Sequence, residues 1–295
     1  MSSRKPKIVI TDCDHPTVEI EKKTLSEINL EFVLAKCSTE EEVIEVAKDA
    51  DGIINQYAPI TRKVIESLKR CKVIARYGVG VDNVDVEAAT EHGIIVANVP
   101  DYCVDEVSTH AIALILACAR GITLLDRKRR EKKWDFTLAK PLFRTKGKTL
   151  GLFGLGRIAK IVSQKASGFG FKIIAYDPYV SKVDSGIRLV EFSQLLSDSD
   201  FISIHSPLTN ETRHSFGDNE LKKMKKTAYL INTARGPIVD GKALYRALKN
   251  KWIAGAALDV MEKEPPDWEN SLLKLDNLII TPHISFYSEE SYVEL

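Results

Sequence analysis

A chain of 295 residues is about twice a typical domain length. Its 44% apolar and 28% charged residues exclude a disordered chain, which would be poor in apolar residues and strongly charged. Lys plus Arg number 42 against 41 Asp plus Glu, and the net charge of +1 gives no field that would favour nucleic acid.

The N-terminal Met1–Thr11 starts basic but has neither a long apolar core nor a small-residue cleavage site, so a secretory signal is not expected. Lys7–Thr11, Glu31–Ala35, Gly52–Ile54, Lys72–Ala75 and Gly93–Ala97 read as short buried strands. Thr39–Asp49 and Thr61–Lys69 between them carry helical spacing, and Thr39 followed by Glu42 is a capping-box signal. Asn98-Val99-Pro100 reads as a crossover, because Pro ends the preceding strand and biases the chain to extend. One long helical stretch follows over Asp105–Lys133, apolar at first and then basic. Its uncharged core, Ala111–Ala119, is far short of the roughly 20 residues that a membrane span needs, so a buried helix and no membrane partner are expected. The basic end, Arg127–Arg130 with Lys132 and Lys133, reads as a solvated helix face.

A second series begins at Thr149–Phe153 and continues with Lys172–Tyr176, Phe201–His205, Ala228–Asn232, Ala254–Leu258 and Leu278–Thr281. Strands alternating with helices imply parallel sheets covered by helices, and one domain is placed before Pro100 and another after it. Ser288–Leu295 reads as a helix just starting, with Ser288 as N-cap. It stops without a C-cap signal, which points to a chain that continues. The five cysteines, Cys13, Cys37, Cys71, Cys103 and Cys118, are scattered with no C-x-x-C pair. That usage predicts reduced thiols, a cytoplasmic location and no metal site.

The turn after Thr149–Phe153 reads Gly154-x-Gly156-x-x-Ala159, a dinucleotide-binding pattern at a strand-to-helix junction. Gly154 allows the tight turn, Gly156 lets the backbone approach a pyrophosphate, and Ala159 lets the helix pack close. Asp177 ends the next strand, about 20 residues on, where a carboxylate binds the ribose 2′-hydroxyl. An acid there repels a 2′-phosphate, so the expected cofactor is NAD rather than NADP.

Ligands of open parallel sheets bind beyond the carboxyl ends of the strands. Here those ends carry His205-Ser206-Pro207, Thr233-Ala234-Arg235, Asp259 with Glu262 and Glu264 just after, and Pro282-His283. Arg can clamp a carboxylate bidentately, His transfers protons near neutral pH, and a carboxylate beside a His orients the ring.

These residues carry a resemblance. Arg76–Asp85 (RYGVGVDNVD), Gly154–Ile158, Asn232–Gly236 (NTARG), Ala257–Val260 with Glu264-Pro265, and Thr281-Pro282-His283 stand in the order seen in D-isomer-specific 2-hydroxyacid dehydrogenases. The chain resembles that family over essentially its whole length. Gln56–Pro59, Pro100–Cys103 and His283–Glu290 look closest to the group of the C-terminal-binding-protein corepressors, although those carry a Trp where this chain has Phe286.

The resemblance implies an α/β fold of two Rossmann-like domains, parallel sheets flanked by helices, with the active site in the interdomain cleft. The substrate (catalytic) domain would be residues 1–100 with 286–295, and the NAD-binding domain residues 101–285. Arg235 is implied as carboxylate clamp, His283 as acid/base and Glu264 as its partner. Tyr77, Gly78, Val79 and Gly80 would meet the substrate, the last three through backbone N–H groups. Arg157 and Ile158 would cap the pyrophosphate. His205, Pro207 and Thr212 would line the adenosine, and Thr233, Ala234 and Asp259 the nicotinamide. Homodimers are common in the family. The expected activity is hydride transfer between NAD(H) and a 2-keto or D-2-hydroxy acid. A 3-phosphoglycerate dehydrogenase and an NAD(H)-sensing corepressor-type scaffold are the alternatives.

Overall fold

The computed structural model describes residues 4–183 and 185–295; Asp184 and Met1–Ser3, the start of the segment in which no secretory signal is expected, lie outside the described residues. The chain divides into two compact units, Met1–Tyr102 with Ser288–Leu295, and Cys103–Tyr287.

The first unit alternates strands β1 (Lys7–Ile10), β2 (Glu31–Leu34), β3 (Gly52–Asn55), β4 (Val73–Arg76) and β5 (Ile95–Ala97) with helices α1 (Glu19–Thr24), α2 (Glu40–Ala47), α3 (Arg62–Ser67) and α4 (Val86–Glu91). All strand pairs are parallel, in the order β2-β1-β3-β4-β5. Thr39 caps α2 through the capping box that its spacing predicts. The closing helix, Glu289–Glu294, starts from Ser288 as N-cap. It belongs to this unit, where the Tyr292 hydroxyl donates to Asp14 Oδ1 (3.3 Å).

The second unit opens differently from expectation. Asp105–Lys133 is not one helix but two, α5 (Val104–Arg120) and α6 (Ile122–Arg130), bent by 63°. The break is Gly121, whose φ of +61° closes α5 in the left-handed conformation that glycine adopts at least cost. Hydrophobic spacing runs through a lone glycine without registering it. Among the described residues no single helix is long and apolar enough to cross a membrane; α5 and α6 pass that test only as a bent pair. The basic face of α6 is laced to carboxylates, Arg129 and Arg130 to Asp126 and Lys128 to Glu131 and Asp276.

The sheet of this unit comprises β6 (Thr149–Phe153), β7 (Lys172–Tyr176), β8 (Ile187–Leu189), β9 (Phe201–Ile204), β10 (Tyr229–Asn232), β11 (Gly255–Leu258) and β12 (Leu278–Ile280). Its order is β12-β11-β10-β9-β6-β7-β8, all parallel. The strand added to those expected is β8, three residues at the sheet edge, too short for a distinct apolar run.

Alternate residues of each strand enter opposite cores. Leu230, Ile202 and Ala256 pack with α8 (Phe192–Asp198), α9 (Asp218–Lys223) and α10 (Gly241–Lys249). Ile231, Phe201 and Ala257 pack with α5 and α7 (Arg157–Ser167). Both faces are therefore covered, which is why these strands read as continuous apolar runs. Leu230 and Ile231 are wholly buried, each contributing about 1.5–3 kcal/mol. The strand order reverses between β6 and β9, the switch point at which doubly wound sheets open a crevice.

Candidate active site and cofactor cradle

The glycine turn lies at that switch point. Gly154 takes φ +88°, and a Cβ there would stand 2.8 Å from Ser206 N, so the fold itself demands glycine. Gly156 differs: its φ of −77° suits any residue, and a Cβ would project into open space. Nothing within the described fold therefore requires glycine at Gly156, and the open space beside it leaves room for a ligand. Gly154→Ala is therefore expected to lower folding stability by about 1–3 kcal/mol. Gly156→Ala should leave the thermal midpoint unchanged and weaken NADH binding roughly tenfold, about 1.4 kcal/mol. Calorimetry and fluorescence titration separate the two effects.

Arg157 and Ile158 form the first turn of α7, whose N-terminus follows Gly156, and Ala159 is wholly buried beneath it. Asp177, at the end of β7, accepts from Leu155 N (2.8 Å) through Oδ2 and from Tyr179 N (2.9 Å) through Oδ1. Its carboxylate thus lies against the glycine turn. After β9, His205 Nε2 is hydrogen-bonded to Ser203 Oγ (2.8 Å), and burial pushes its pKa down to about 4, so the ring is neutral at physiological pH. Thr212 Oγ1 accepts from Thr209 N (2.8 Å) and donates to the Pro207 carbonyl (2.7 Å), closing the loop.

Two hydroxyls at the strand ends, Ser206 Oγ and Thr233 Oγ1, are buried without a hydrogen-bond partner among the described residues. Buried hydroxyls are normally paired, so these two and the open space over Gly156 fit a bound dinucleotide. Sequence reasoning passed over Ser206. The signal for it was its place between His205 and Pro207 at a strand end facing the glycine turn.

His283 and Glu264 are brought together beyond the strand ends of β12 and β11. Glu264 Oε2 accepts from His283 Nδ1 (2.6 Å), and its Oε1 accepts from Met261 N (2.7 Å). Nδ1 therefore carries its proton toward Glu264, and Nε2 is the atom left for proton exchange. Both side chains are about one-third exposed, so the pair is open to a small molecule. His283 itself holds φ 53°, a conformation uncommon outside glycine. Its N–H donates to the carbonyls of Asp259 (2.8 Å) and Thr281 (3.0 Å).

Asp259 explains how that loop is held. It is buried, with Oδ1 accepting from Thr281 Oγ1 (2.5 Å) and Ile284 N (3.0 Å), and Oδ2 accepting from Ser285 N (2.9 Å). The Thr281 hydroxyl gives its proton to Asp259, so its oxygen accepts from His110 Nε2 (3.0 Å). A His–Thr–Asp chain thus anchors the His283 loop to α5. Arg235 lies at the end of β10, with Nη1 donating to the Ala234 carbonyl (2.8 Å). Asn232 holds the turn, its Nδ2 donating to Arg235 O (2.9 Å) and its Oδ1 accepting from Ala234 N (3.0 Å).

In the first unit, the Arg76–Asp85 motif serves partly as scaffold. Asp85 caps α4, and Asn83 Nδ2 donates to Asn55 Oδ1 (2.7 Å) and to the Ala58 carbonyl (3.2 Å). Tyr77 is buried, and its hydroxyl donates to Glu21 Oε1 (2.9 Å). Gly78 N–H is committed to the Arg76 carbonyl (2.9 Å).

Comparison with known proteins follows the same lines. The sequence pattern described as "D-isomer specific 2-hydroxyacid dehydrogenase, NAD binding domain" matches residues 112–285. A glyoxylate reductase of Korarchaeum cryptofilum is 40% identical over 299 residues, covering 97% of this chain and 88% of that protein. A D-3-phosphoglycerate dehydrogenase of Methanocaldococcus jannaschii is 46% identical over 290 residues, and the match takes in 97% of this chain but only 54% of that longer protein. Among solved structures, the D-lactate dehydrogenase of Aquifex aeolicus, complexed with NAD and lactic acid, superposes with a TM-score of 0.86 at 30% identity, covering 97% of this chain and 91% of the other.

Proposed function

Since this chain belongs to the D-isomer-specific 2-hydroxyacid dehydrogenases, NAD-dependent enzymes that interconvert 2-keto acids and D-2-hydroxy acids, we propose that Arg235 clamps the substrate carboxylate, His283 exchanges the proton on the keto oxygen, and Glu264 positions His283. The observation that carries this reading is the 2.6 Å bond between Glu264 and His283 at two adjacent strand ends. When bound, NAD(H) supplies or accepts the hydride. His283 Nε2 gives its proton to the oxygen in reduction and takes it back in oxidation. The Arg235 guanidinium forks onto the carboxylate and draws density from the neighbouring carbonyl. In the first unit, Val79 and Gly80 are proposed as amides that meet the substrate, since the Gly78 amide is already committed to the Arg76 carbonyl.

For the cofactor, we assign Gly154, Gly156, Arg157 and Ile158 to the pyrophosphate, Asp177 to the ribose, His205, Pro207 and Thr212 to the adenosine, and Thr233 and Ala234 to the nicotinamide. Asp259 acts from beneath, through the loop that both of its oxygens hold.

The substrate is proposed to be a small, unphosphorylated 2-keto acid, in keeping with the relative that this chain matches along most of its length. A phosphorylated substrate is the second reading, favoured by the 46% identity to a phosphoglycerate dehydrogenase. Loss of NADH absorbance with glyoxylate, hydroxypyruvate, pyruvate and 3-phosphohydroxypyruvate decides between them. Turnover of the phosphorylated acid alone would establish the second reading. No turnover by a chain that binds NADH would favour the scaffold.

A homodimer in the cytoplasm is also proposed. Trp134, Phe136, Leu138 and Phe143 are exposed along one segment, Trp134 at 90%, and a second copy is the occupant that would cover them. Trp134→Ala with Phe136→Ala should halve the mass seen by light scattering; an unchanged mass would remove this segment from the interface. Burial raises the Cys37 and Cys71 thiols to about 11 and the Cys118 thiol to about 12, in keeping with a reducing compartment.

A further inference from the structure

Glu264 sits on an irregular loop that leaves β11, and two tethers hold that loop to its neighbours. The first is backbone packing: a Cβ on Gly236 would stand 2.0 Å from the Met261 carbonyl carbon and 2.5 Å from Glu262 N, so the turn after Arg235 presses directly on the loop. The second is the Glu262 carboxylate. Its Oε1 accepts from His214 Nε2 (2.6 Å), and its Oε2 accepts from Gly241 N (3.2 Å). His214 comes from the loop after β9 and holds φ 53°, and its own N–H donates to the Pro237 carbonyl (2.8 Å). Glu262 therefore joins three segments, those that follow β9, β10 and β11. Arg235 is part of the second, and Glu264 is part of the third.

We propose that Glu262 and His214 form a positioning pair that sets the Glu264–His283 couple relative to Arg235. The proposal rests on the roles given above to those three residues. The path is short: Glu264 Oε1 accepts from Met261 N (2.7 Å), so any movement of the backbone beside Glu262 moves the Glu264 carboxylate. The pair is half-exposed, His214 at 46% and Glu262 at 41%, and an exposed ion pair adds little to folding stability. Its value lies in geometry, because a displacement of about 1 Å at a reacting group can cost on the order of a hundredfold in rate.

The test is a double-mutant cycle on the full chain with NADH and its best keto acid. Glu262→Ala is expected to lower kcat roughly 30-fold, with KM and the NADH Kd within about twofold and the thermal midpoint unmoved. His214→Ala should reproduce that loss. Glu262→Gln and His214→Gln can keep the bonds and should retain most activity. In a Glu264→Gln background, adding Glu262→Ala should cost less than about twofold, because the pair acts through Glu264. Equal losses in both backgrounds would overturn the proposal, as would full activity of Glu262→Ala. Full activity of Glu264→Gln by itself would instead overturn the site reading on which the proposal rests.

Discussion

Arg235→Ala is expected to reduce kcat/KM for the preferred 2-keto acid by roughly a thousandfold, about 4 kcal/mol of transition-state stabilisation, while the NADH Kd stays within about twofold. The reason for so large a loss is that one guanidinium is asked to do two things: to bind the carboxylate with parallel hydrogen bonds and to stabilise charge developing on the adjacent oxygen. The fold should be indifferent to the change. Asn232 secures the turn through the backbone carbonyl of residue 235 and the amide of Ala234, and neither bond needs the Arg side chain. Arg235→Lys keeps charge without the fork and should recover only part of the activity. Stopped-flow NADH binding together with steady-state kinetics would check the result. A variant with ordinary turnover would remove Arg235 from the site.

His283→Gln is the second large effect expected, a fall in kcat of about 10²–10⁴ with cofactor binding retained. Its loop is held independently of the ring by Asp259, through the amides of Ile284 and Ser285 and through Thr281. Glutamine can still donate toward Glu264 but has no proton to give the substrate. Glu264→Gln should be milder, because the imidazole is still present and loses mainly the charged partner that orients it. A primary isotope effect measured with deuterated NADH should rise in both variants, since the chemical step becomes more fully rate-limiting. An unchanged kcat in His283→Gln would sink the acid/base assignment.

Much of this molecule was legible in the order of its residues. Continuous apolar runs such as Phe201–Ile204 and Tyr229–Asn232 announced strands buried on both faces, and the two core clusters of the second unit show why: neighbouring residues on one strand enter opposite cores. The places of the glycine turn, Asp177, Glu264 and His283 at strand ends were readable, and the structure sets Asp177 against the turn and Glu264 within 2.6 Å of His283. The break at Gly121 and the edge strand Ile187–Leu189 were not, because one glycine or three residues leave no periodic trace.

What sequence alone determined was the chemistry on offer: a parallel α/β chain, a dinucleotide turn, and an Arg, a Glu and a His placed at strand ends. Tertiary structure decided which of those groups work and which hold. Asp259 emerged as the anchor of the His283 loop, Asn83 and Asp85 as scaffold, and Gly154, unlike Gly156, as a demand of the fold. It alone joined Glu262 to His214 across segments distant in sequence. The physical reason is that hydrogen-bond partners and close backbone approaches are set by the packing of several strands at once, and no local pattern of residues carries that information.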